Sequence, residues 1–294
     1  MLPCPLPGAR LLIEGGGDDL PPRALEQFCD WCSENKTRKV IPDDAAYVVL
    51  IPWPSARTQQ AIFEDYASSH WFGTQTQFFL KIAPRAAEVE ADNSNSWAGL
   101  REMVEGSCGV WICGGDQNNI SDLFEKRQGM KQWMQNLYSH GHPFGGTSAG
   151  ASIMSETMFT GEGGNGAADD EEKVLWNFIT PHKVGIRSGL GLVSHMVVDQ
   201  HFIVRQRNNR LLSVMCEKER TERFAIGVDE DCAVCITDNH ILEVLGAEGK
   251  SSVLFQRVGT SRDTYVTRIL RASPDRGVKF IDLLKLPLYS EDEV

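Results

Sequence analysis

Nowhere in this 294-residue chain does an apolar run approach the roughly 18 residues that cross a bilayer as a helix. The opening stretch, Met-Leu-Pro-Cys-Pro-Leu-Pro-Gly-Ala-Arg, lacks the basic segment and unbroken apolar helix of a secretory leader, so a cytoplasmic setting is the expectation. Positive charge is also scarce. Twenty-nine Lys and Arg against 40 Asp and Glu leave a net charge of −11, a field that repels phosphate backbones and argues against nucleic-acid partners. Eight cysteines are too few for a disulfide framework in a chain this long. What is present, 41% hydrophobic and 23% charged residues, is ordinary globular composition and excludes a disordered tail, a collagen and a coiled coil.

Two Cys-x-x-Cys pairs, Cys29 with Cys32 and Cys232 with Cys235, raise the question of zinc. The first falls in a helical pattern and the second in a strand-like run, where positions i and i+3 face opposite ways. Buried free thiols are therefore expected, with no metal and no other cofactor.

The first two-thirds of the chain alternate between strand-like and helix-like segments. Arg10–Glu14, Tyr47–Ile51, Phe78–Ile82 and Gly109–Cys113 read as strands. Helical spacing runs over Arg23–Cys32, Thr58–His70, Trp97–Val104 and a longer stretch, Ile120–Tyr138. Pro143–Gly150 reads as a strand turning into a helix. Such alternation predicts a mostly parallel sheet with helices on both faces. In that class the ligand site lies beyond the carboxyl ends of the strands, and the glycine clusters fall there. Gly161–Lys173 is glycine-rich and acidic and reads as a long surface loop. A strand, Met196–Ile203, and a helix, Asn208–Glu217, follow it. Phe224–Val228, Ala233–Ile236, Ile241–Val244 and Val253–Phe255 read as a mixed or antiparallel extension of the sheet. No linker divides the chain, so a single domain, 1–294, is expected.

Gly146-Thr147-Ser148-Ala149-Gly150 fits the nucleophile elbow G-x-S-x-G in the strand-to-helix setting the motif requires. The helix that follows aims backbone N–H groups at the same point. His201, within Asp199-Gln200-His201-Phe202, sits among polar groups that a buried strand would not select, and is the candidate base for Ser148. The remaining histidines (His70, His140, His142, His182, His195 and His240) read as surface or structural. Gly114-Gly115-Asp116-Gln117 either brings amides and Gln117 to a substrate or forms a helix-capping turn. Arg205, Arg207 and Arg210 form a local cationic patch suited to carboxylates, or else a solvated face paired with nearby acids. Gly227-Val-Asp229-Glu230-Asp231 reads as a cation-binding carboxylate group or a plain hairpin turn.

Taken in order from Gly15 to Glu230, these segments resemble cyanophycinase and its relatives in the serine-peptidase family that includes aspartyl dipeptidase. The resemblance implies a flavodoxin-like fold related to the class I glutamine amidotransferases, and a homodimer. It implies exopeptidase hydrolysis of β-aspartyl peptides, above all cyanophycin, with release of β-Asp-Arg. Carried onto this chain, it makes Ser148 the nucleophile and His201 the base. Gln117, Asp199, Gln200, Arg205, Arg207 and Arg210 would line the substrate pocket, with the amides of Gly115 and Ala149 as oxyanion hole. The third acid is placed at Glu162, with Asp169 or Asp170 as substitutes. Three rivals stay open: a dipeptidase for short isoaspartyl peptides, an α/β-hydrolase-type esterase sharing the elbow, and a non-catalytic binder of acidic peptides. An amidotransferase would carry cysteine at position 148.

Overall fold

In the computed structural model, residues 6–91, 94–160, 178–217, 219–259, 264–277 and 279–290 are described. Strands β1 (Arg10–Glu14), β2 (Tyr47–Ile51), β4 (Gly109–Ile112) and β5 (Phe144–Thr147) are buried almost throughout, while β3 (Phe79–Ile82) is an edge with alternate exposure. Runs such as Leu-Leu-Ile and Val-Val-Leu-Ile lack polar alternation because both faces of a parallel sheet are covered. The five strands run parallel in the order β3-β2-β4-β5-β1.

Successive residues enter different cores. Leu11, Ile13, Val49, Ile51, Val110 and Ile112 join one cluster; Leu12, Val48, Leu50, Trp111 and Cys113 join the other. The second is closed by α1 (Pro22–Lys39) and α2 (Gln59–Tyr66) through Phe28, Cys29, Cys32, Ile62 and Tyr66. The first is covered by α4 (Ser94–Glu105), α5 (Asn118–Lys126) and α6 (Met130–Ser139). A short helix, α3 (Ala86–Glu90), precedes α4. The stretch read as one helix from Ile120 to Tyr138 is in fact α5 and α6. The first ends at Lys126, where Arg127 turns to φ −112° and ψ 87°, and the second starts after Gly129, whose φ is 83°. Among the described residues, no helix is long and apolar enough to cross a membrane.

Beyond β5 come α7 (Ala149–Ser152) and a ribbon of β6 (Thr157–Phe159) and β7 (Ile186–Ser188). β10 (Cys232–Thr237), β11 (Ile241–Gly246) and β14 (Phe280–Asp282) extend the main sheet antiparallel beyond β1. Cys232 enters one core and Cys235 the other, on opposite faces of β10.

The other late strands do not join this extension. β8 (Met196–Asp199), β9 (Phe224–Val228), β12 (Ser251–Arg257) and β13 (Tyr265–Arg271) build a separate sheet in the order β13-β12-β9-β8. Met196, Val198, Phe224 and Ile226 from its inner face complete the first core. Val197 and Ala225 face the helix α8 (Asn208–Met215), which contributes Leu211, Val214 and Met215. The strand read as Met196–Ile203 stops at Asp199, because the backbone turns at His201 with a φ of 47°.

That turn rests on a glycine. β8 runs parallel to β9 with Asp199 opposite Gly227, and the Phe202 ring lies over Gly227, where an added Cβ would come within 2.2 Å of it. Gly227→Ala is therefore expected to overpack the site and cost about 2 kcal/mol, seen as a lower urea midpoint at an unchanged m-value.

Candidate active site

β5 delivers Ser148 to the carboxyl edge of the main sheet. Between strand and helix, Ser148 takes φ 51° and ψ −112°, a conformation that non-glycine residues rarely hold and that lifts the side chain clear of the sheet. Its amide donates to the Glu14 carbonyl of β1 at 3.2 Å. Ala149 opens α7, so its N–H has no acceptor one turn earlier in the helix. The turn after β4 runs alongside: a Cβ built on Gly114 would lie 3.6 Å from the Ser148 Cβ. Gly114 and Ala149 thus flank the serine, from the ends of β4 and β5.

His201 arrives from the second sheet. Its amide donates to the Gly15 carbonyl at 2.7 Å, fixing the turn after β8 onto the end of β1. The imidazole then lies over Gly16. A Cβ there would come within 2.1 Å of the ring, and φ is +106°, so position 16 accepts no side chain on two separate counts. Ser148 Oγ and His201 Nε2 are 2.9 Å apart, and His201 Nδ1 lies 2.6 Å from Glu230 Oε1. With the Nδ1 proton donated to Glu230, Nε2 is free to accept from the serine hydroxyl. Glu230 follows β9, the parallel neighbour of the strand that carries His201. Next to it, Asp229 accepts from the amides of Ile203 and Val204 at 3.0 and 3.1 Å and holds the histidine turn.

The position expected to supply the third acid, Glu162, and its substitutes Asp169 and Asp170, lie outside the described residues. The carboxylate against His201 is Glu230. The signal for it was the Gly-Val-Asp-Glu segment, open at sequence level between cation binding and a hairpin. What that reading lacked was the pairing of β8 with β9, which brings two distant strand ends side by side.

The arginines do not form one free patch. Arg210 makes a two-pronged ion pair with buried Asp199, its Nε at 3.1 Å from Oδ2 and its Nη2 on Oδ1. It also lies 4.7 Å from the centre of the Phe159 ring. Arg207 is buried, donating to the Gln200 carbonyl at 2.7 Å and to Gln200 Oε1 at 2.9 Å. Arg205 alone of the three is exposed, and among the described residues it has no ion pair. Gln117 is buried and donates to the Phe159 carbonyl at 2.8 Å. The structure brings Ser148 and His201 together, with Ala149 next to the serine, and ties Asp199, Gln200, Arg207 and Arg210 to one another.

The sequence model described as Peptidase family S51 matches residues 38–244. The chain belongs to that family. Among its S51 relatives, the cyanophycinase of Geminocystis herdmanii is 35% identical over 202 residues, covering 68% of this chain and 66% of its own length. The cyanophycinase of Trichormus variabilis is 32% identical over 208 residues, covering 68% and 61%. The matched part of the chain thus spans about two-thirds or less of these curated relatives. A crystal structure of a peptidase from an acI-B1 Actinobacterium shares the fold, with a TM-score of 0.61 at 16% identity over 94% of this chain and 98% of that one.

In this S51 site, burial and then the Arg205 charge hold the His201 imidazole below its usual 6.5, although Glu230 pulls the other way. Only neutral imidazole accepts a proton from Ser148. Labelling of Ser148 by a fluorophosphonate should therefore rise with pH and reach half its plateau below pH 6.5. Arg205→Met removes a repelling charge and should move that midpoint upward; a midpoint at or above 6.5 in the wild type would contradict the assignment.

Proposed function

We propose that this chain is a serine peptidase that hydrolyses β-aspartyl peptides of the cyanophycin type, with Ser148 as nucleophile, His201 as general base and Glu230 as the acid that orients it. The observation that carries this reading is the unbroken line from the Ser148 hydroxyl through His201 to Glu230, at 2.9 and 2.6 Å. Ser148 attacks the peptide carbonyl while His201 takes its proton, and Glu230 stabilises the imidazolium that forms. The amides of Gly115 and Ala149 receive the developing oxyanion. His201 then returns the proton to the leaving amine, and water activated by the same imidazole clears the acyl-enzyme.

The substrate class is drawn from the cyanophycinase relatives and from charge. Cyanophycin carries arginine on the side-chain carboxyls of an aspartate backbone, and its free carboxylates need a cation in a protein of net charge −11. Arg205 is exposed beside the site and suits that task, while Arg207 and Arg210 stiffen the wall through Asp199. Release of β-Asp-Arg from a polymer end is the expected mode of cleavage. We also read the core as flavodoxin-like. The β3-β2-β4-β5 part of the parallel sheet has the strand order of that class, with β1 added beyond β5.

Incubation with purified cyanophycin, with short isoaspartyl peptides and with an aryl ester, followed by mass analysis, tests the reading. β-Asp-Arg should accumulate from the polymer, and Ser148→Ala should lower kcat by about 10³-fold or more. Ester turnover without β-aspartyl cleavage would overturn the substrate class. Undiminished hydrolysis by the alanine variant would remove Ser148 from the chemistry.

A further inference from the structure

One acid at the centre of this arrangement has no part in the mechanism above. Glu14 is the last residue of β1, its side chain on the same face as Leu12, and it is fully enclosed. A carboxyl in an otherwise apolar strand is costly unless its oxygens are bonded, and both are. Oε1 accepts from the Gly16 amide at 2.9 Å, and Oε2 takes the hydroxyl of Thr147, its register partner on β5 and the residue immediately before Ser148. The glycine turn that Glu14 grips is the one that docks the second sheet. The Gly15 carbonyl receives the His201 amide and the Gly16 carbonyl receives the Asp231 amide at 3.0 Å, so the two contacts straddle Glu230 in the chain.

We propose that Glu14 is a positioning residue that fastens the turn beneath His201 to the strand end carrying Ser148, and so sets the distance between base and nucleophile. The inference rests on the Ser148–His201 reading above. Burial, reinforced by the nearby Asp231 and Glu230 carboxylates, raises the Glu14 pKa to about 8, although the Thr147 and Gly16 hydrogen bonds oppose this. At neutral pH the carboxyl is therefore protonated. The other titratable groups in electrostatic reach are the Cys232 thiol on β10 and the Tyr66 phenol on α2, both protonated in this range. Ionisation above pH 8 puts a third negative charge beside Glu230 and Asp231 and loosens the turn. The native state keeps a proton that the unfolded chain gives up near 4.5, so this contribution to stability is complete below that pH and is lost as pH rises through 8.

Glutamine is the informative replacement, since its amide accepts from Gly16 and donates to Thr147 at every pH. Glu14→Ala should lower kcat by about tenfold or more with KM within about twofold. Glu14→Gln should stay within about twofold of wild type at pH 7, lack the wild-type fall in kcat near pH 8, and gain thermal stability over wild type between pH 5 and 9. A folded alanine variant with wild-type kcat overturns the proposal, as does a glutamine variant as slow as the alanine one. If the alanine variant does not fold, the glutamine pH profile decides, and an unchanged alkaline fall overturns it. Ser148→Ala run in parallel separates the two failures: full activity there sinks the catalytic reading, whereas its loss with an indifferent position 14 sinks only this one.

Discussion

Ser148 and His201 come from different sheets, and the distance between them is set by a turn that carries no side chains. Gly15, Gly16 and Gly17 bring β1 against the turns after β8 and β9 so closely that a Cβ at any of the three would come within 2.6 Å of an atom on the facing turns. Hydrogen bonds from His201 and Asp231 to the carbonyls of Gly15 and Gly16 then replace the packing that side chains would have supplied. A contact of this kind is directional and short, so it transmits small displacements rather than absorbing them. The antiparallel β10 lies beside β1 along its whole length, with Leu11, Ile13, Val234 and Ile236 in the shared core. The glycine turn is thereby held on a stiff edge rather than on a free loop.

Much of this was legible before any coordinates, and the reasons differ by element. The parallel strands announce themselves because each must be apolar on both faces, and a run like Tyr47–Ile51 has few other readings. Ser148 was visible because its backbone strain demands small neighbours at fixed spacing. His201 stood out as a polar cluster where a buried strand should continue, and the strand indeed stops two residues earlier. The identity of the sheet to which each late strand belongs was not legible. Val-Ile-Leu alternation specifies that a strand has a buried face, not which partner covers it. Glu230 was hidden for the same reason: its role exists only through the pairing of β8 with β9.

The arginine segment shows how a correct grouping carries two opposite meanings. Three guanidiniums in six residues suggested a clamp for ligand carboxylates, yet Asp199, the residue two before His201, takes two of them itself. Asp199 is wholly buried, and removing it would leave two guanidiniums without their acid, at a far greater cost than the pairing's net contribution to stability. Arg207 and Arg210 are thus bound to the scaffold before any ligand arrives. One carboxylate offsets only one of their two charges, so Arg207 still lowers the basicity of His201, less than the exposed Arg205 does. On the proposed reading, Arg205 would couple the capture of a negatively charged substrate to the protonation of His201. A bound carboxylate that neutralises Arg205 would raise the proton affinity of His201 as the serine gives up its proton, strengthening the base when it is needed.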